Sequence, residues 1–205
     1  VIAHLAQQQS LANTTFITAS AGNHGLSVAA GAKTFGAKSV VYLSHTVPET
    51  FAEKLRLQGA KVCRKGNDYE ASMTAAAKAA TVNSWVLLSD SSWPGYTELP
   101  HRLMEGYLVM AAEIVKQMTS APTHIFLQAG VGGLAAACAA YFRSIWVDAP
   151  NITVVEPEAA PALHDAIQAG RVVSATGPVS SMGRLDCKEA SMIALNGLAR
   201  DADRF

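Results

Sequence analysis

An α/β fold, with open and mainly parallel sheets covered by helices on both faces, is predicted by three features of the 205-residue sequence. Short runs rich in β-branched and aromatic residues recur along it, alanine-rich stretches of helical length separate them, and single glycines stand where several of those stretches end. Strands that alternate with helices need crossover connections, which set neighbouring strands parallel and pack helices above and below them. In chain order the strand runs lie at 15–18, 39–43, 61–64, 85–88, 123–128 and 151–156. The helical stretches lie at 24–35, 49–58, 69–80, 98–118, 134–147 and 159–169, with Gly36, Gly59 and Gly170 at C-cap positions. The chain opens inside a further helix, and its last stretch, 198–205, also reads as helix. The fold is therefore expected to be incomplete at both ends, a segment of a longer protein. Pro94, Gly95 and Pro100 interrupt the rhythm between 91 and 100. That interruption predicts a smaller α/β domain over 1–97 and part of a larger domain over 98–205.

Charge narrows the class of partner. The 16 Lys and Arg residues balance 16 Asp and Glu, and no basic cluster occurs, which argues against nucleic acid and against an anionic membrane surface. Charged residues make up 16% of the chain, below the roughly 25% of an average soluble domain. Charge is missing altogether from 1–32 and from 117–142. Glutamines and asparagines interrupt the first stretch, and Pro122, His124, Gln128 and glycines the second, so neither is a membrane span. Both read as buried segments of a soluble protein. Cys63, Cys138 and Cys187 are too widely spaced for a disulfide framework or a metal-binding pair, and they fit a reducing, cytoplasmic compartment. His4, His45, His101, His124 and His164 have no ligand-like spacing, so no metal site is expected. Trp85 and Trp146 read as core residues, Met104, Met110 and Met118 as helix packing, and Lys188-Glu189 and Arg200-Asp201 as solvated pairs.

Three segments have the residue types that chemistry needs. Ser20-Ala21-Gly22-Asn23-His24-Gly25 follows a strand and opens a helix, where free backbone N–H groups attract anions and glycines let a ligand approach. Asn23 both donates and accepts, which suits a phenolate or carboxylate oxygen. The same segment also reads as a plain strand-to-helix turn capped by Ser and Asn. Gln128-Ala129-Gly130-Val131-Gly132-Gly133-Leu134 repeats the arrangement, with glycines able to converge their N–H groups on a phosphate. No Lys-Ser/Thr follows, so it is not a P-loop, and a tight turn without ligand is the alternative. In Asp90-Ser91-Ser92-Trp93-Pro94-Gly95-Tyr96 an acid follows a strand, the usual position of an active-site base in an open α/β sheet; a turn-capping Asp is the other reading.

Taken in order, these segments resemble the pyridoxal-phosphate enzymes of the tryptophan-synthase-β fold (fold type II). The Trp93–Tyr96 stretch and Ser181-Met182-Gly183-Arg184-Leu185-Asp186-Cys187-Lys188-Glu189 resemble the diaminopropionate ammonia-lyase branch more than the serine and threonine dehydratases. The resemblance implies pyridoxal 5'-phosphate as cofactor, with Asn23 bonded to its ring hydroxyl oxygen and Gly130, Val131, Gly132 and Gly133 holding its phosphate. It implies Asp90 as the base that acts on L-2,3-diaminopropionate, an α,β-elimination giving pyruvate and ammonia, and a homodimer. Two positions depart from the family. Ala21 stands where the family has a second acid, so activity on the D-isomer is not expected. The Schiff-base lysine lies several tens of residues before the asparagine in the family, ahead of Val1 here, and Lys33 reads as a solvated helix residue. The segment alone is therefore expected to be inactive and to work as part of a longer chain that supplies the lysine. The alternatives are a serine or threonine dehydratase-like enzyme, and a non-catalytic α/β module that keeps only the phosphate cradle.

Overall fold

The computed structural model describes every residue, Val1–Phe205, as two compact units, Val1–Ser89 and Asp90–Phe205. The first unit runs α1 (Ile2–Gln8), β1 (Thr15–Ala19), α2 (Asn23–Thr34), β2 (Lys38–Leu43), α3 (Glu49–Leu57), β3 (Lys61–Arg64), α4 (Tyr69–Asn83) and β4 (Val86–Leu87). Its strands make one parallel sheet in the order β3-β2-β1-β4. The inner strand β1 is buried from Phe16 to Ala19, which explains why its stretch of sequence carries no charge. Alternation along the strands sorts the core into two layers. Val41 and Leu43 pack with Ala29, Phe51, Ala52 and Leu55 from α2 and α3. Val40 and Ile17 pack instead with Ala76 and Ala80 of α4. Helices therefore cover both faces of this sheet, as the periodicity predicts.

The second unit runs α5 (Glu98–Gln117), β5 (His124–Gln128), α6 (Gly133–Trp146), β6 (Asn151–Val155), α7 (Ala162–Ala169) and α8 (Met192–Asp201). β5 and β6 pair in parallel, with His124 opposite Asn151 and Gln128 opposite Val155. Helix α6 buries Ala135, Ala136, Ala137, Cys138, Ala139 and Phe142, and the second charge-free stretch is this helix with the strand before it. Around it close Ile152 and Val154 of β6, Leu163 of α7 and Leu198 of α8. The other face of the strand pair presents Phe126, 67% exposed. No helix is long and apolar enough to cross a membrane.

Three details differ from the sequence reading. The units divide between Ser89 and Asp90, ahead of the 91–100 interruption. The cause is Ser92, whose backbone and hydroxyl bond to Ser191 and Ile193 and so tie the interruption into the second unit. The last helix ends at Asp201, and 202–205 is not helical. Asp203 and Arg204 donate their N–H groups to the Ile152 carbonyl at 2.8 and 3.2 Å, and the Val154 N–H donates to the Arg204 carbonyl at 2.8 Å. The Asp203 carboxylate completes this edge by accepting the Ile152 N–H at 2.6 Å and the Arg143 guanidinium at 2.5 Å, bonds that a continued helix would forfeit. Lys188 is no solvated partner of Glu189. Its ammonium donates to the carbonyls of Ala159 and Pro178 at 2.7 and 3.0 Å and pairs with Asp186 at 2.8 Å, pinning the loop before α8.

Candidate active site

The centre of the second unit's site is the turn between β5 and α6. Strand pairing extends one residue past β5, where the Ala129 N–H donates to the Val155 carbonyl at 2.9 Å, and the chain then turns through Gly130–Gly133. Gly132 is the residue before α6 and has φ +96°, a left-handed conformation that other residues adopt at a cost. No side chain caps α6, so its first-turn N–H groups are open to an anion, and the helix dipole favours one there. Space also requires glycine. A Cβ on Gly130 would lie 2.9 Å from the Cys187 sulfur, and one on Gly132 would lie 2.9 Å from Leu163 Cδ1. Leu163 is held by Glu156, whose carboxylate accepts the Leu163 and His164 N–H groups at 2.8 and 2.9 Å and so anchors the start of α7. Burial pushes the Glu156 carboxyl above its ordinary value, against the pull of those two N–H groups.

The turn lines a cavity of about 140 Å³ that it shares with Asp90, Tyr107, Arg184, Leu185 and Cys187. That volume holds a small anion and several water-sized groups. The half-buried Asp90 is the cavity's only carboxylate. Burial, and then the negative charge of Asp90, push the Tyr107 phenol up to about 12, so Tyr107 stays a neutral hydroxyl. Burial likewise raises the Cys138 thiol in α6 to about 11, which leaves it protonated and inert. The arrangement thus pairs an anion cradle with a carboxylate able to accept a proton.

The first unit presents a second strand-to-helix turn, described by itself. The hydroxyl of Ser20 accepts the Gly25 N–H at 3.0 Å and the Gly22 N–H at 3.3 Å, so Ser20 closes the start of α2. Asn23 takes no part in the cap; it is the first residue of α2 and its side chain is exposed. A Cβ on Gly25 would lie 2.8 Å from the Ser20 carbonyl oxygen, which makes this glycine a spatial requirement. One nitrogen of His24 (Nε2) lies 2.9 Å from the Leu88 carbonyl and fixes the turn to the end of β4.

Of the residues singled out by sequence, Asp90, Gly130, Val131, Gly132 and Gly133 line one cavity, and Asn23 lies at the helix start of the other unit. Tyr107 escaped sequence reasoning. The available signal was its spacing, three residues after Met104 and four before Ala111, which puts it on the inward face of α5. Cys187 escaped as well, because its contact with Gly130 joins residues far apart in the chain.

The sequence profile described as "Pyridoxal-phosphate dependent enzyme" matches residues 1–205. The chain belongs to the pyridoxal-phosphate dependent enzyme family. Within this family it is 35% identical to diaminopropionate ammonia-lyase of Salmonella typhimurium over 195 residues, 91% of this chain and 48% of that protein. It is 29% identical to L-serine dehydratase/L-threonine deaminase of Mus musculus over 162 residues, 78% of this chain and 47% of that protein. The crystal structure of diaminopropionate ammonia-lyase from Escherichia coli in complex with D-serine superposes with a TM-score of 0.90 at 27% identity, covering 98% of this chain and 55% of the other. The chain spans about half the length of the curated relatives it matches. The residues present fit the phosphate of the family's cofactor. Gly130 and Gly132 leave a cradle that a Cβ would crowd, and an uncapped helix start faces it. No lysine lines the cavity.

Proposed function

We propose that this segment supplies the phosphate cradle and the base of a diaminopropionate ammonia-lyase, a pyridoxal-phosphate enzyme that eliminates ammonia across the α and β carbons of 2,3-diaminopropionate to give pyruvate and ammonia. The observation that carries the reading is the shared cavity, in which the Gly130–Gly133 turn and the Asp90 carboxylate stand together. Backbone N–H groups of Gly130, Val131, Gly132 and Gly133 would hold the cofactor's phosphate, and Asn23 its ring oxygen. When bound, the cofactor supplies the electron sink for the charge left at the substrate's α-carbon. Asp90 takes the α-proton of the L-isomer, and Tyr107 stays protonated beside it. Ala21 stands in the position of a second acid and carries no proton acceptor, so the D-isomer is a poor substrate. The lysine that anchors the cofactor comes from a longer chain, in keeping with the coverage of about half of each curated relative. Greater similarity to the ammonia-lyases than to the dehydratases supports diaminopropionate over serine and threonine. The same reading takes the enzyme to be a homodimer and to work in the cytoplasm, where its three cysteines stay reduced.

The test uses this segment within a chain of its relatives' full length. Pyruvate is released from L-2,3-diaminopropionate, and Asp90→Asn lowers kcat by about 10²- to 10⁴-fold while KM changes little. Release of pyruvate from L-serine, or of 2-oxobutanoate from L-threonine, without turnover of diaminopropionate would replace the reading with a dehydratase. Equal loss of kcat and of substrate binding would remove Asp90 from the role of base.

A further inference from the structure

Ser191 is the residue before α8, where a serine hydroxyl ordinarily accepts an N–H from the helix's own first turn. Here it makes no such bond. The hydroxyl instead accepts the Ser92 N–H at 3.1 Å and lies 2.8 Å from the Ser92 hydroxyl, which in turn accepts the Ile193 N–H at 2.9 Å. The Met192 N–H donates to the Ser92 carbonyl at 3.0 Å. Ser92 and Ser191 are 4% and 0% exposed, so these bonds are made away from water. The N–H of Ser191 points elsewhere and donates to the Val131 carbonyl at 2.9 Å. The residues entering α8 thus grip both halves of the cavity at once: Val131 in the phosphate cradle, and Ser92 two residues beyond Asp90.

We propose that Ser191 is a positioning residue that holds Asp90 in register with the phosphate cradle. The inference rests on the reading of Asp90 as the base. Deleting the hydroxyl strands the Ser92 N–H in a buried site, and the Asp90 segment relaxes to re-satisfy it. The cradle keeps its support, because the Ser191 N–H survives any side-chain change. A displacement of about 1 Å at a reacting group costs on the order of 10²-fold in rate. The consequence is a selective loss of proton abstraction with cofactor binding intact.

The experiment is a cycle of Asp90→Asn, Ser191→Ala and the double variant in the full-length enzyme. Ser191→Ala is expected to lower kcat by about 10- to 100-fold, with KM and the cofactor dissociation constant, read by fluorescence titration, within about threefold of wild type. The double variant falls no further than Asp90→Asn alone, because Ser191 acts through Asp90. Multiplied losses in the double variant, or a kcat within about twofold of wild type in Ser191→Ala while Asp90→Asn is inactive, would overturn the positioning role and leave the base intact. A cofactor affinity that falls as far as kcat would also overturn it. An undiminished kcat in Asp90→Asn removes the base reading and this inference together. If Ser191→Ala does not fold, Ser92→Ala takes its place in the cycle, with a smaller loss of kcat and the same non-additivity; additive losses there overturn the proposal.

Discussion

A side chain at Gly132 would meet two separate obstacles. The backbone there has φ +96°, and a Cβ would stand 2.9 Å from Leu163 Cδ1 and 3.2 Å from Ala194 Cβ, both in the core. Left-handed backbone costs a non-glycine residue about 1–2 kcal/mol and overpacking about 1–3, so Gly132→Ala is expected to destabilise the protein by about 2–5 kcal/mol in urea unfolding. Gly106, on α5 with nothing within 4 Å of its Cβ direction, is the internal control and takes alanine without loss. A loss below about 1 kcal/mol at Gly132 would mean that the cradle can shift to admit a side chain. Roles inside the cavity also divide at this scale. Tyr107, held near 12, does not exchange protons near neutrality, and Asp90 is the one carboxylate that lines the cavity with it.

The ends of elements carry features that helical and strand periods do not announce. Helix α6 stops at Val147, which has φ 50° and ψ −119°, and the Ala149 N–H donates to the Trp146 carbonyl at 3.0 Å. These angles are those of the first central position of a type II′ turn, where glycine is the preferred residue. Val147 is 63% exposed, so little packing is lost on truncation. Val147→Gly is expected to raise stability by about 1 kcal/mol, since relief of strain outweighs the added freedom of the unfolded chain. A lower melting temperature in the variant would contradict that balance. At the end of α8, the Ile152 N–H first, and then Arg143, hold the Asp203 carboxyl below its ordinary 3.8. A folded value below the unfolded one contributes stability that is present above 3.8 and lost as pH falls through the folded value. Urea unfolding of wild type and Asp203→Asn is therefore expected to differ at about pH 7 and to converge as pH falls below 3.8. A gap that widens in acid would reverse the assignment.

At the scale of the molecule, the chain carries a cradle and a carboxylate but no lysine at its cavity. Pyridoxal phosphate added to these 205 residues is expected to leave no borohydride-stable adduct on any one lysine, as read by peptide mass mapping. A single stoichiometrically labelled lysine would mean that the anchor lies within the segment after all. Much of this was readable from the sequence. Strand and helix order follows from periods of 2 and 3.6 that encode which side of an element is buried, and the strands of the first unit fell within a residue or so of their predicted bounds because β1 and β2 are buried on both faces. The glycine turn of the second unit was readable because the conformation and the crowding at Gly132 penalise every other residue. Partnerships were not. Asp90, Tyr107 and Cys187 reach the same cavity from three parts of the chain, Lys188 finds carbonyls instead of its neighbour Glu189, and Arg204 adds an edge to β6 where a helix was expected. The sequence by itself determined the elements, their order and the two turns, since local burial and backbone sterics are written residue by residue. Only the tertiary structure decided which acid shares the cradle's cavity, where the units divide and what ties the Ser92 segment to the cradle at the start of α8, because those depend on hydrogen bonds and contacts between residues as distant as Ser92 and Ser191.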